Sequence, residues 1–133
     1  MILVDSSVWI DYFRGVENSH TLQLDQWLDT PVVEVGVADL VAFEVLRGFL
    51  NTRARQQAED FLLDLPTVNI GGIANALQAA AHDRALRAKG FTIRSPIDVL
   101  LASYCITHGH MLLHRDADFD AIETLRGLKS WPH

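Results

Sequence analysis

Short apolar runs punctuated by glycine, proline and acidic residues organise this chain, with no single long amphipathic pattern. Met1-Ile2-Leu3-Val4 followed by Asp5 reads as a buried strand over residues 2–5, and Ser7 to Arg14 as a helix closed by Gly15. A second helix is expected over Thr21 to Leu28. Pro31 precedes a short strand, Val32 to Val35, and Ala38 to Phe49 and Thr52 to Leu63 read as helices stopped by Pro66. Thr67 to Ile70 is the next strand candidate and Gly71-Gly72 a turn. The alanine-rich stretch from Ile73 to Ala88 is a helix ended by Gly90. Ser95-Pro96 starts a helix running to about His108, with proline at the first helical position and Gly109 at the end. Met111 to Leu113 reads as a strand, Phe119 to Leu125 as a short helix, and Leu128 to Trp131 as a final strand.

Strands that alternate with helices imply βαβ units, hence an α/β fold with a mainly parallel sheet and helices on both faces. Ligands of such sheets collect beyond the carboxyl ends of the strands, where the strand order switches. A length of 133 residues, 49% of them hydrophobic, fits one globular domain over residues 1–133. Residues 1–5 lack the basic start of a signal peptide, and no apolar stretch approaches the roughly 18 to 20 residues of a membrane span. The lone Cys105 lies in an apolar run, as an inert buried thiol does, and a cytoplasmic protein is expected.

Against this background five carboxylates stand out. Asp5 ends the first apolar run, Glu44 interrupts the run from Leu40 to Leu46, Asp98 opens a helical apolar run, and Asp116 and Asp118 follow Met111-Leu112-Leu113. A charge beside core-forming sequence is costly to desolvate unless it is paired or bound to a metal. With 17 acids against 11 Lys plus Arg, cations are too few to answer for all of them. Each acid also has an ordinary explanation. Asp5 can cap the helix after it, Glu44 can pair with Arg47 one turn on, Ser95-Pro96-Ile97-Asp98 has the spacing of a capping box, and Asp116, Asp118 and Asp120 can belong to a simple acidic turn. The combination favours a hard divalent ion held by oxygen ligands from several elements at one sheet edge. None of the six histidines has zinc-type spacing, so surface or structural roles are expected for them.

The net charge of −6 argues against general nucleic-acid binding, which rests on phosphate neutralisation, but it does not exclude an enzyme acting on nucleic acid. Arg47, Arg53 and Arg55 form one basic group and Arg84, Arg87, Lys89 and Arg94 another; either alone reads as a solvated helix face. A phosphate-accepting receiver domain would need a lysine before the final strand, where Lys129 lies within it, and a D-x-D phosphatase would need an acid where Ser7 stands.

Residues Met1 to Ile10, with Glu44-Val45-Leu46-Arg47-Gly48, Ser95-Pro96-Ile97-Asp98 and His114-Arg115-Asp116-Ala117-Asp118-Phe119, resemble in order the motifs of the PIN-domain ribonucleases, and most closely the VapC-type toxins of bacterial toxin–antitoxin pairs. The resemblance implies a three-layer α/β/α sandwich with a five-stranded parallel sheet and metal-dependent hydrolysis of RNA phosphodiester bonds, with transfer RNA or another structured RNA as the expected substrate. It implies a core triad of Asp5, Glu44 and Asp98, a fourth carboxylate from Asp116, Asp118 as a further metal ligand, and Mg²⁺ or Mn²⁺ as the ion. Ser6 and Ser7 match positions that orient the carboxylates by hydrogen bonding. It further implies a homodimer, a VapB-like antitoxin that covers the acidic pocket, and contact with operator DNA only through that antitoxin. Arg115 lies near enough in sequence to meet a phosphate. The competing expectation is a non-catalytic binding module that docks a partner or antitoxin through apolar helix surface around Trp9, Tyr12, Phe13 and Phe49.

Overall fold

The computed structural model describes residues 1–132 as a five-stranded, wholly parallel sheet wrapped by seven helices. Strands β1 (Ile2–Val4), β2 (Val35–Ala38), β3 (Thr67–Val68), β4 (Met111–Leu113) and β5 (Lys129–Ser130) lie in the order β3-β2-β1-β4-β5. Helix α1 (Ser6–Phe13), α2 (Ser19–Leu28), α3 (Asp39–Arg47) and α4 (Thr52–Leu63) come from the first half of the chain. Helix α5 (Ile73–Ala88), α6 (Pro96–His108) and α7 (Asp118–Arg126) come from the second. Helices α5, α6 and α7 pack on one another, while α1 packs on α2 and α3, and α3 on α4. The architecture is the expected α/β sandwich.

β1 is the middle strand. It pairs with β2 through Ile2 opposite Val35 and with β4 through Leu3 opposite Leu112 and Val4 opposite Leu113. Leu3, Val4, Val37, Leu112 and Leu113 are buried, so the central strands are covered on both faces, as a parallel sheet requires. After β1 the chain proceeds outward to β2 and β3, then returns across β1 to β4, which puts the topological switch between β1 and β4.

Four elements depart from the sequence expectation by two residues or more: α3 stops at Arg47 rather than Phe49, β3 stops at Val68 rather than Ile70, and β2 and α2 are shifted for local reasons. β2 lies three residues later than Val32–Val35 because Val33 N–H closes a turn onto Thr30 and Val32 is left 92% exposed. The buried segment is Val35-Gly36-Val37-Ala38, and a β-carbon on Gly36 would collide with the Met1 sulfur and crowd the Pro66 carbonyl. α2 starts two residues early because Asn18 caps it, accepting from the His20 and Thr21 amides at 3.0 and 2.9 Å while Thr21 Oγ1 accepts from the Asn18 amide in return. Elsewhere the turns fall where glycine was read: Gly15 after α1 and Gly109 after α6 both have positive φ.

Candidate active site

The carboxyl edge of β1 and β4 gathers the acids. Asp5 follows β1 directly, and its amide donates to the Leu113 carbonyl at 2.9 Å, which ties the end of β1 to the end of β4. It occupies the N-cap position of α1, where its carbonyl accepts from the Val8 and Trp9 amides but its side chain forms no standard cap. Instead its Oδ2 accepts from the Ser7 hydroxyl at 2.5 Å, and the residue is only 3% exposed. Glu44 projects from α3, and its Oε1 is enclosed without a hydrogen-bond partner among the described residues. The pairing with Arg47 is not formed: that guanidinium lies over the Phe43 ring, 5.6 Å from its centroid. Asp98, in the first turn of α6, is 8% exposed. The capping box read at this helix start is absent, since Ser95 makes no side-chain cap and only its carbonyl accepts from the Asp98 amide. Asp116 Oδ1 accepts from the Asp118 amide at 2.9 Å, a local turn that sets Asp118 at the head of α7.

The electrostatics show that these residues, dispersed in sequence, share one space. Burial pushes the Asp98 carboxyl up to about 8, and Asp5, Glu44, Asp116 and Asp118 each add to the rise. Burial also raises Asp5, opposed by the Ser7 hydroxyl, the Ser6 and Ser7 amides and His114. Glu44 is raised first by burial and then by Asp5, against the Ser6 hydroxyl and the more distant Arg47. The two serine hydroxyls therefore divide between two acids, Ser7 toward Asp5 and Ser6 toward Glu44, while both serine amides serve Asp5. In the absence of a cation such a group holds protons jointly, and its ionisation belongs to the cluster.

This donor set fits a hard divalent ion: it is all oxygen, it is buried on one side, and Glu44 Oε1 lacks any partner. It is also splayed. Among the described residues, the group whose ligand atoms all lie within 4.8 Å of one another is His114, Asp120 and Glu123. There the buried His114 Nε2 is bonded to Glu123 Oε1 at 2.8 Å and to Ser130 Oγ at 3.2 Å, a structural arrangement joining β4, α7 and β5. A splayed oxygen set suits an ion that keeps several waters and takes substrate oxygens, as Mg²⁺ does.

Sequence reasoning missed the cation at the mouth of the acids. The Arg94 backbone amide and Nε both donate to Asp118 Oδ2, at 3.2 and 3.4 Å, and its Nη2 lies 3.9 Å from Asp116 Oδ1. Nothing local marks Arg94, because its partners are more than twenty residues away. Arg115 is instead held by Asp11 at 2.9 Å. Of the aromatic residues read as a docking surface only Trp9 is fully buried, with Phe13 stacked on it and Phe61 edge-on, while Tyr12, Phe13 and Phe49 are half-buried and Phe13 meets Phe49. Cys105 is buried and its thiol is pushed up to about 12, as an inert cysteine should be.

The PIN domain profile matches residues 2–125. Ribonuclease VapC11 of Mycobacterium tuberculosis and VapC ribonuclease Mb1587 of Mycobacterium bovis are each 33% identical to the chain over 130 residues, covering 98% of this chain and 97% of theirs. Among solved structures, VapBC2 of Rickettsia felis, bound to a DNA fragment from its promoter, superposes with a TM-score of 0.77 at 18% identity, covering 99% of this chain and all of that one. FitAcB of Neisseria gonorrhoeae superposes with a TM-score of 0.76 at 19% identity, covering 99% and 97%. At those identities the two structures speak to the fold.

Proposed function

The chain belongs to the PIN-domain family, beside the VapC ribonucleases, and on that premise we propose that it is a metal-dependent endoribonuclease, the toxin of a toxin–antitoxin pair, working at the acidic edge of β1 and β4. The observation that carries this reading is the burial of Asp5 and Asp98 with the enclosed Glu44 Oε1 at one sheet edge, where Asp116 and Asp118 add their charge to the group. Asp5, Glu44, Asp98 and Asp116 are assigned as the catalytic carboxylates and as ligands of Mg²⁺ or Mn²⁺, with Asp118 a further ligand. A bound divalent ion supplies polarisation of the scissile phosphate and activation of an attacking water. Ser7 and Ser6 hold the Asp5 and Glu44 carboxylates in the orientation the ion requires. Whichever of these five carboxylates the ion leaves unbound takes up the proton released on attack.

The substrate assigned is a structured RNA of the transfer RNA type. The similarity to VapBC assemblies supports a VapB-like antitoxin as partner, covering the acidic pocket. The net charge of −6 supports contact with operator DNA through the antitoxin rather than directly. A homodimer is the assembly proposed. No helix among the described residues is long and apolar enough to cross a membrane, and the cytoplasm is the proposed place of action.

Purified protein with Mn²⁺ should cleave total RNA, and mapping the new ends identifies the target. Cleavage should stop on chelation and in Asp5→Asn and Asp98→Asn, with circular dichroism unchanged; full activity in either variant overturns the site assignment. A non-catalytic binding module predicts no metal-dependent cleavage by the unaltered protein.

A further inference from the structure

A cleft of about 320 Å³ opens between the segment before α6 and helix α7, lined by Phe91, Thr92, Ile93, Ala117, Asp118 and Ala121 among others. Asp118 belongs both to this cleft and to the acidic group, so the cleft begins where the acids end. Phe91 lines it while remaining 46% exposed, and its amide donates to the Leu86 carbonyl at 3.0 Å, which fixes the backbone that carries the ring. Arg94 stands between cleft and acids, its side chain 81% exposed and gripping Asp118 and Asp116 at 3.4 and 3.9 Å.

We infer that this cleft is a nucleotide subsite: it takes an unpaired base of the RNA beside the scissile phosphate, with Phe91 as the stacking face and Arg94 as the clamp on the adjoining phosphate. This rests on the nuclease reading above and goes beyond it. An exposed ion pair of this kind contributes little to stability, so exchanging Asp118 for a phosphate oxygen costs the protein little. A divalent ion held by Asp116 and Asp118 would offset their charge, leaving the Arg94 guanidinium free to meet a phosphodiester there. A planar guanidinium suits that task because it meets phosphate in a bidentate fashion. The cleft itself cannot be the phosphate site, because Asp118 and Asp120 line it. A neutral base with a flat face fits its apolar walls, and unpaired bases are the parts of an RNA that proteins stack on aromatic rings.

The test uses full-length Asp98→Asn protein with Mn²⁺ and a single-stranded RNA oligonucleotide carrying 2-aminopurine beside the cleavage position. Phe91→Leu should weaken binding about tenfold and abolish 2-aminopurine quenching, while Phe91→Trp keeps both. Arg94→Gln should lower the slope of log affinity against log salt by about 0.7. Unaltered protein that cleaves RNA, alongside Phe91→Leu and Arg94→Gln variants that bind RNA as Asp98→Asn alone does, overturns the subsite alone. Loss of Mn²⁺ affinity in Arg94→Gln without loss of RNA affinity also overturns it, since Arg94 would then only orient the acids. Loss of antitoxin affinity with unchanged RNA affinity makes the cleft a peptide site and overturns it as well. Unaltered protein that neither binds nor cleaves RNA removes the nuclease reading and this inference together.

Discussion

Asp98 shows how much one carboxylate changes when the fold surrounds it with others. An unfolded chain ionises it near 3.8, whereas the folded protein keeps its proton until about 8. Between those values the folded state binds more protons than the unfolded one, so stability falls as pH rises. Below about 4 the group is neutral in both states and costs nothing; above about 8 it is charged in both and the loss is complete. Metal-free protein should therefore lose stability relative to Asp98→Asn as pH climbs from 4 to 8, read from paired urea melts in chelator. A difference that stays flat over this window would show that Asp98 is solvated. At this scale the acids were legible because charge beside apolar sequence is expensive wherever the chain folds. Two of their ordinary explanations fail on structural grounds, since Asp98 is in no capping box and Glu44 has no ion pair with Arg47, whereas Asp116 and Asp118 do form the local turn. Arg94 was illegible because an arginine without a local partner looks like any solvated base.

Among the elements, helices read better than strands. Glycine and proline mark helix ends chemically, and the ends of α1 and α6 fell at Gly15 and Gly109. Strands of two to four residues carry too little pattern to fix their register. For β2, Val32 and Val33 had the right composition, yet burial between β1 and β3 selected Val35 to Ala38 instead. Gly36 is the residue that permits this, because β2 passes Met1 and the Pro66 carbonyl with no room for a side chain. Gly36→Ala should cost about 1 to 3 kcal/mol through overpacking, measured by denaturant unfolding. An unchanged midpoint would mean that Met1 moves aside and that the backbone at Pro66 yields with it. α2 teaches the complementary lesson: Asn18 and Thr21 form a capping box from residues the apolar pattern passes over.

Across the whole molecule, the sheet order decides which parts of the chain meet. Asp5 comes from the first strand and Asp116 from the loop after the fourth, and they share an edge because β1 and β4 are neighbours at the switch point. An ion bound there spans both halves of the chain and stabilises the entire fold. With Mn²⁺ at 100 times its dissociation constant, unfolding should become about 2.7 kcal/mol harder than in chelator, and the increment should vanish in Asp5→Asn. An increment that survives in Asp5→Asn would place the ion elsewhere, and equal stability with and without Mn²⁺ would show that the folded protein does not bind it. The alternation of strands and helices foretold the α/β class. The meeting of distant acids followed from topology, which the order of the motifs only implied.

The central position of β1 also governs timing. The strand at the middle of the sheet is the first of the five in chain order, but one of its two neighbours, β4, is the fourth. Parallel pairing of segments so far apart in the chain is slow, because the intervening loop must close before any contact rewards it. A ribosome that has not yet released residues 111–118 holds a chain with Asp5 in place and no Asp116 or Asp118 to meet it. The acidic edge thus comes into being only once β4 and the loop after it have been made.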